Sequence, residues 1–184
     1  MNHYKKILAE KRYSLTRYQV YQSVEKFLTF LFKKPIRLTS IDSQALRDWQ
    51  KNWVQHNDRY PPEGGWDWND EITKLKRTTP ERFEVAIWHH DKLCGLAIGK
   101  PSKGTSHNAI YLMEGSPLKH PLNALVTKIV IEVGIAYALA LEKEHLILVD
   151  PLEKMIKVYT KRYGFEFRTA KNHPKRFCIK KVSI

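Results

Sequence analysis

Few residues in this chain have both the type and the setting to do chemistry. The two cysteines, Cys94 and Cys178, lie far apart in sequence, and no Cys/His group has the spacing of a zinc site. Cys94 sits beside Gly95 in a strand-like run, with no His and acid placed to activate it, and reads as a small buried filler. His89 and His90 are adjacent at a turn, and neighbouring side chains on a strand point to opposite faces, which argues against a shared metal. Two carboxylates close apolar runs: Glu114, just before Gly115, and Asp150, just before Pro151. Each reads either as an ordinary cap or terminator, or as a group facing a substrate. The string Tyr60-Pro61-Pro62-Glu63-Gly64-Gly65-Trp66-Asp67-Trp68 fixes an irregular backbone and carries large aromatics. Those rings either pack on the body or wall a binding site.

None of these groups acts without elements to hold it. At 184 residues the chain is long enough for one domain with a real core. Two cysteines, no signal-peptide pattern and no membrane-length apolar run lead us to expect a reduced, cytoplasmic protein that does not contact membrane. The net charge of +13 is concentrated at the ends. Residues 1–34 carry eight Lys/Arg against Glu10 and Glu25, and residues 161–184 carry eight against Glu166, while the middle is neutral. Such density suits a polyanion, either nucleic acid or an acidic protein surface; a merely solubilising face is the plainer alternative.

In the N-terminal third, Ser14 is a plausible N-cap for a helix running to Lys34. Its face is marked by Tyr18, Tyr21, Val24, Phe27, Leu28, Leu31 and Phe32, and Pro35 prevents continuation. That stripe is core or a dimer contact, so a homodimer is one expectation. Ile36–Ile41 reads as a short strand, Asp42 or Ser43 as the cap of a helix through Val54, and about Asn69–Arg77 as another helix. From Phe83 the order is distinctive. Phe83–His90 and Leu93–Lys100 form a hairpin around Asp91-Lys92, and Ala109–Gly115 is a third strand. Leu122–Lys143 is the strongest helix, His145–Pro151 a buried strand, and Glu153–Gly164 a short helix with Gly164 at its C-cap. Two strands, Phe165–Ala170 and Arg176–Val182, end the chain.

This order, with "YGFEF" after the short helix, resembles the GCN5-related N-acetyltransferases (GNAT). The resemblance implies an α+β fold with a mixed, largely antiparallel sheet of about six or seven strands, splayed at an acyl-CoA site and flanked by helices. Residues 35–184 would form that domain, and residues 1–34 a basic helical extension packed on it. The implied activity is N-acetyl transfer from acetyl-CoA, without metal, to a small-molecule or protein amine. The alternative is a catalytically degenerate module on the same fold, binding nucleic acid or an acidic partner through its basic termini.

The family's site then maps onto this chain residue by residue. Acyl-CoA would lie in the gap beside Leu112 and Met113, with its pyrophosphate at the turn that opens the long helix. That turn is Lys119-His120-Pro121-Leu122-Asn123-Ala124 here. Leu122 stands where the family has Gly, and Pro121 has no N–H to donate. Lys119 and His120 would ligate phosphate as side chains, with the amides of Asn123, Ala124 and Leu125. The family's Tyr, four residues before the Gly of the closing Gly-Phe, protonates the leaving thiolate. Thr160 holds that offset, which makes Tyr159 the candidate acid and Tyr163 the alternative. Glu114 is the candidate base, with half-burial raising its pKa. Tyr60, Trp66, Asp67, Trp68 and Asp150 would form the acceptor site.

Overall fold

The computed structural model describes residues 3–56, 59, 64–171 and 174–182. The elements are α1 (His3–Phe32), β1 (Arg37–Thr39), α2 (Ser43–Asn52), α3 (Trp68–Thr78), β2 (Phe83–His89), β3 (Lys92–Pro101) and β4 (His107–Gly115). They continue as α4 (Val126–Ala140), β5 (His145–Val149), α5 (Glu153–Tyr163), β6 (Glu166–Thr169) and β7 (Arg176–Lys181). One sheet runs in the order β1-β2-β3-β4-β5-β7-β6. Every neighbouring pair is antiparallel except β4 and β5, which are parallel. This is the α+β architecture expected, with its mixed sheet and N-terminal helix.

Period-two alternation assigns the strands to two cores. Phe83, Val85 and Ile87 of β2 face α1 and α4, where they join Val20, Leu28, Ile129 and Val133. The intervening Ala86 and Trp88 face α2 and α3, beside Trp49, Trp53, Trp68 and Ile72. The chain enters α2 and α3 through side-chain caps. Asp42 accepts from the Ala45 amide, and Asp67 from the Asp70 amide. Gly164 closes α5 at φ 68°, a left-handed position that costs glycine little.

Two helices differ from expectation. The first starts at His3, not Ser14, because Ser14 is used inside it. Its hydroxyl donates to Glu10 Oε1 (3.2 Å) and accepts from Arg17 Nη2 (3.0 Å). The long helix begins only at Val126, because residues 121–125 are turns, and it stops at Ala140, with Glu142 at φ 54° just beyond.

A buried charge network clamps α1 to the sheet. Arg17 is 2 % exposed and donates to the carbonyls of Pro80 (2.9 Å) and Arg82 (3.3 Å) and to Glu10 Oε1 (2.8 Å). Arg82 forks between Glu10 (2.7 and 2.8 Å) and Glu84 Oε1 (2.8 Å). The second oxygen of Glu84 accepts from the Ile41 amide (3.0 Å). Removing one member of such a set strands a buried charge, at about 3–5 kcal/mol.

Candidate functional site

The sheet opens between β4 and β5. The two strands pair only from His107 opposite His145 to Ile110 opposite Leu148. Beyond that point β4 continues to Gly115 while β5 ends at Val149, and the chain turns away at Asp150 with φ 45°. A bulge sharpens the divergence. Across β3, Gly99 faces Ile110 and Ile98 faces Leu112, which leaves Tyr111 as the extra residue. Gly99 is required there, because a Cβ would lie 1.8 Å from the Ala109 carbonyl oxygen. Past Ile110 the β4 edge has no strand partner, so its backbone groups are open to an extended ligand.

The resulting cleft has a volume of about 460 Å³. Ile110, Tyr111, Leu112, Met113 and Trp66 line one side; Leu148, Val149, Asp150, Pro151, Leu152 and Tyr159 line the other. Tyr159 is 9 % exposed, and its ring meets Phe165 edge-on at 6.2 Å. Burial, with lesser help from Cys178 and Tyr163, pushes its hydroxyl pKa up to about 12, so it stays protonated at neutral pH. No hydrogen bond among the described residues ties that hydroxyl down.

Of the expected site residues, Leu112, Met113, Trp66, Asp150 and Tyr159 meet in this cleft. Glu114 does not line it. Its carboxylate is 3 % exposed instead of half-buried, and four donors reach it: Arg59 Nε (2.6 Å) and Nη2 (3.2 Å), Trp68 Nε1 (2.6 Å) and the Gly65 amide (3.2 Å). Occupied on both oxygens, it anchors the segment before α3 to the end of β4. Two of the expected acceptor residues have structural work: Asp67 caps α3, and Trp68 is fully buried in the α2–α3 core. Tyr60 lies outside the described residues. Tyr163 does not line the cleft, and Thr160 donates to the Lys157 carbonyl.

The turn before α4 also departs from the expected pattern. Leu122, in the family's Gly position, is fully buried in the core. His120 holds the turn from within, with Nδ1 accepting from the Leu122 amide (3.1 Å) and its own amide donating to Asn123 Oδ1 (3.2 Å). Burial first, then His89 and Lys92, lower its pKa, so it brings no positive charge. The amides of Asn123 and Leu125 donate to His120 O (3.2 Å) and Leu122 O (2.8 Å) and are spent. Among the described residues, those of Ala124, Thr127 and Lys128 donate to nothing, as first-turn amides do. Lys119 is exposed and lines, with His120, a separate pocket beside Trp53 and Asp91. Lys34 donates to the Pro121 carbonyl (2.9 Å) and adds a cation to the turn.

Two residues escaped sequence reasoning. Tyr111 reaches the cleft through the bulge, which no pattern in AIYLMEG announces. Arg59 is the buried partner of Glu114 and donates to the Trp66 carbonyl (3.1 Å), so it fixes the cleft wall. Its only signal was indirect: a buried glutamate needs a cation.

No family model matches the chain, and no curated protein does. Solved structures do. A GNAT-family acetyltransferase from Staphylococcus aureus Mu50 superposes with a TM-score of 0.60 at 12 % identity, covering 80 % of this chain and 99 % of that one. Ard1 from Thermoplasma volcanium gives 0.56 at 13 % identity, over 81 % and 99 % of the two chains. A GNAT-family acetyltransferase from Brucella melitensis, in complex with acetyl-CoA, gives 0.55 at 11 % identity, over 81 % and 89 %. With its splayed seven-stranded sheet and the β4 bulge, the chain has the fold of the GCN5-related N-acetyltransferases.

Proposed function

We propose that the protein is an N-acyltransferase that moves an acetyl group from acetyl-CoA to an amine. The observation that carries this reading is the cleft where β4 and β5 part, with an unpaired strand edge on one side and a protonated, untethered Tyr159 hydroxyl on the other. The similar Brucella melitensis protein, in complex with acetyl-CoA, supports the choice of donor.

In this reading the donor supplies an acyl group activated as a thioester. The open β4 edge from Tyr111 to Met113 holds its extended arm through main-chain hydrogen bonds. The free amides of Ala124, Thr127 and Lys128, with Lys119 and Lys34 nearby, meet its phosphates. Trp66 and Tyr111 wall the acceptor. The Asp150 carboxylate, on the cleft rim, draws in the acceptor's ammonium and passes its proton to solvent. As the amine nitrogen bonds to the acyl carbon, the carbon–sulfur bond breaks, sulfur leaves as thiolate, and the nitrogen gives its remaining surplus proton to water to become the neutral amide. Tyr159 donates a hydrogen bond to that sulfur. Full proton transfer would run uphill, because a phenol at about 12 faces a thiol near 8.5, about 5 kcal/mol. Hydrogen bonding to the developing charge stabilises the step without that penalty.

A second reading, a non-catalytic module on the same fold, draws on the altered turn, where Leu122 replaces the expected Gly and His120 is neutral. A thermal shift with acetyl-CoA separates the two. Stabilisation that grows with ligand concentration, about 2.7 kcal/mol at a hundredfold excess over Kd, supports the donor site. No shift at millimolar acetyl-CoA overturns it.

A further inference from the structure

The outer face of α1 is built for a partner. Tyr4, Leu8, Lys11, Leu15 and Tyr18 succeed one another at steps of four, three, four and three residues, the seam spacing of a heptad repeat. Their apolar members are 65, 50, 58 and 59 % exposed in that order, and Ile7 beside them is 51 % exposed. The opposite face, through Arg17, Val20, Tyr21, Val24 and Leu28, is buried against the body. The seam is therefore not the helix's own packing surface.

Charge narrows what covers it. The two acids of α1 serve the body: Glu10 pairs with Arg17 and Arg82, and Glu25 accepts from the Leu38 amide (2.8 Å). Beside the seam stand Lys5 and Arg12, both exposed, and Lys11 lies within it. A second copy of this chain would set cations against cations. A nucleic acid would satisfy the lysines but leave Leu8 and Leu15 in water. A membrane surface would have to take Lys11 in the middle of the apolar strip. An acidic helix satisfies all of these, because a lysine at a seam position is tolerated opposite carboxylates.

We propose that α1 docks an acidic amphipathic helix of a partner protein along the Tyr4–Tyr18 seam, as a two-stranded coiled coil. The α1 helix is preorganised for this by the buried Arg17–Glu84–Arg82 network that fixes its inner face. The inference does not depend on acetyl transfer.

The test uses the full chain and a fluorescein-labelled three-heptad peptide with leucine at a and d and glutamate at e and g. Anisotropy is expected to report binding that weakens with salt and falls at least about tenfold in Leu8→Glu/Leu15→Glu. A peptide with lysine in place of glutamate should not bind. Lys11→Glu, which keeps the fold whatever the double variant does, should weaken the acidic peptide and improve the basic one. Four outcomes overturn the proposal: no binding of the acidic peptide, binding indifferent to these variants, seam-dependent sedimentation with phosphatidylglycerol vesicles or RNA, and a seam-dependent dimer in ultracentrifugation.

Discussion

Arg59 and Glu114 form a buried ion pair at 2.6 Å, joining the segment before α3 to the end of β4 beside the cleft. The same guanidinium holds the Trp66 carbonyl, and the same carboxylate takes the Trp68 indole and the Gly65 amide. Gly64 backs directly onto this clasp, where a Cβ would lie 2.8 Å from Glu114 Oε1. One carboxylate thus sets the position of the wall that faces Tyr159.

That arrangement predicts a stability phenotype for Glu114. Glu114→Ala leaves Arg59 buried without its counter-charge and should cost about 3–5 kcal/mol in urea unfolding. Gly64→Ala, which crowds the same carboxylate, should cost about 1–3 kcal/mol, and the double variant should lose less than the sum. A Glu114→Ala protein with unchanged stability and abolished acetyl transfer would return the residue to the role of base.

Tyr159 predicts the opposite phenotype. Its hydroxyl supports no hydrogen bond among the described residues, so Tyr159→Phe should leave stability within about 0.5 kcal/mol. Acetyl transfer should fall about a hundredfold in kcat, with the apparent affinity for acetyl-CoA little changed. Single-turnover assays with a panel of amines would read this directly. An unchanged kcat would remove Tyr159 from the chemistry.

Elements with strong local signals were legible in the sequence; contacts between distant segments were not. The β2–β3 hairpin, the αL stop at Gly164 and the Asp42 cap follow from residue types at fixed offsets. The bulge at Tyr111 does not, because it depends on how β3 and β4 slide past each other at Gly99. The early start of α1 was missed for a related reason. Ser14 has the chemistry of a cap, and only the tertiary network through Arg17 and Glu10 absorbs it into a helix interior. At the site, Leu112, Met113, Trp66, Asp150 and Tyr159 line one cleft because they flank the sheet's opening. The full burial of Glu114 was not legible because its partner, Arg59, lies 55 residues away.

Acid should destabilise the protein in two stages, and the sign follows from where protons bind. The His120 pKa lies below its ordinary value, chiefly because the ring is buried, with His89 and Lys92 adding to the effect. The unfolded chain therefore binds that proton more readily, and stability falls as pH drops below about 6.5. His107, half-buried, adds in the same direction, with desolvation as the main cause and His145 and Lys143 as lesser ones. The second stage belongs to Glu10. Burial alone would raise its carboxyl, but the hydrogen bond and charge of Arg82, then Arg17, outweigh it and hold the pKa below the carboxylate range. Its contribution is present above the unfolded value, about 4.3, and disappears as pH falls through the lower folded value. Urea midpoints at pH 7.5, 6 and 5 should therefore decline, with a further drop below pH 4. His120→Gln, whose amide oxygen can still accept from Leu122, should shrink the upper stage to the part that His107 supplies and leave the lower one intact. Midpoints that stay level from pH 7.5 to 5, or an upper stage unchanged in His120→Gln, would show that His120 is free to charge and that the turn before α4 is more open than its hydrogen bonds imply.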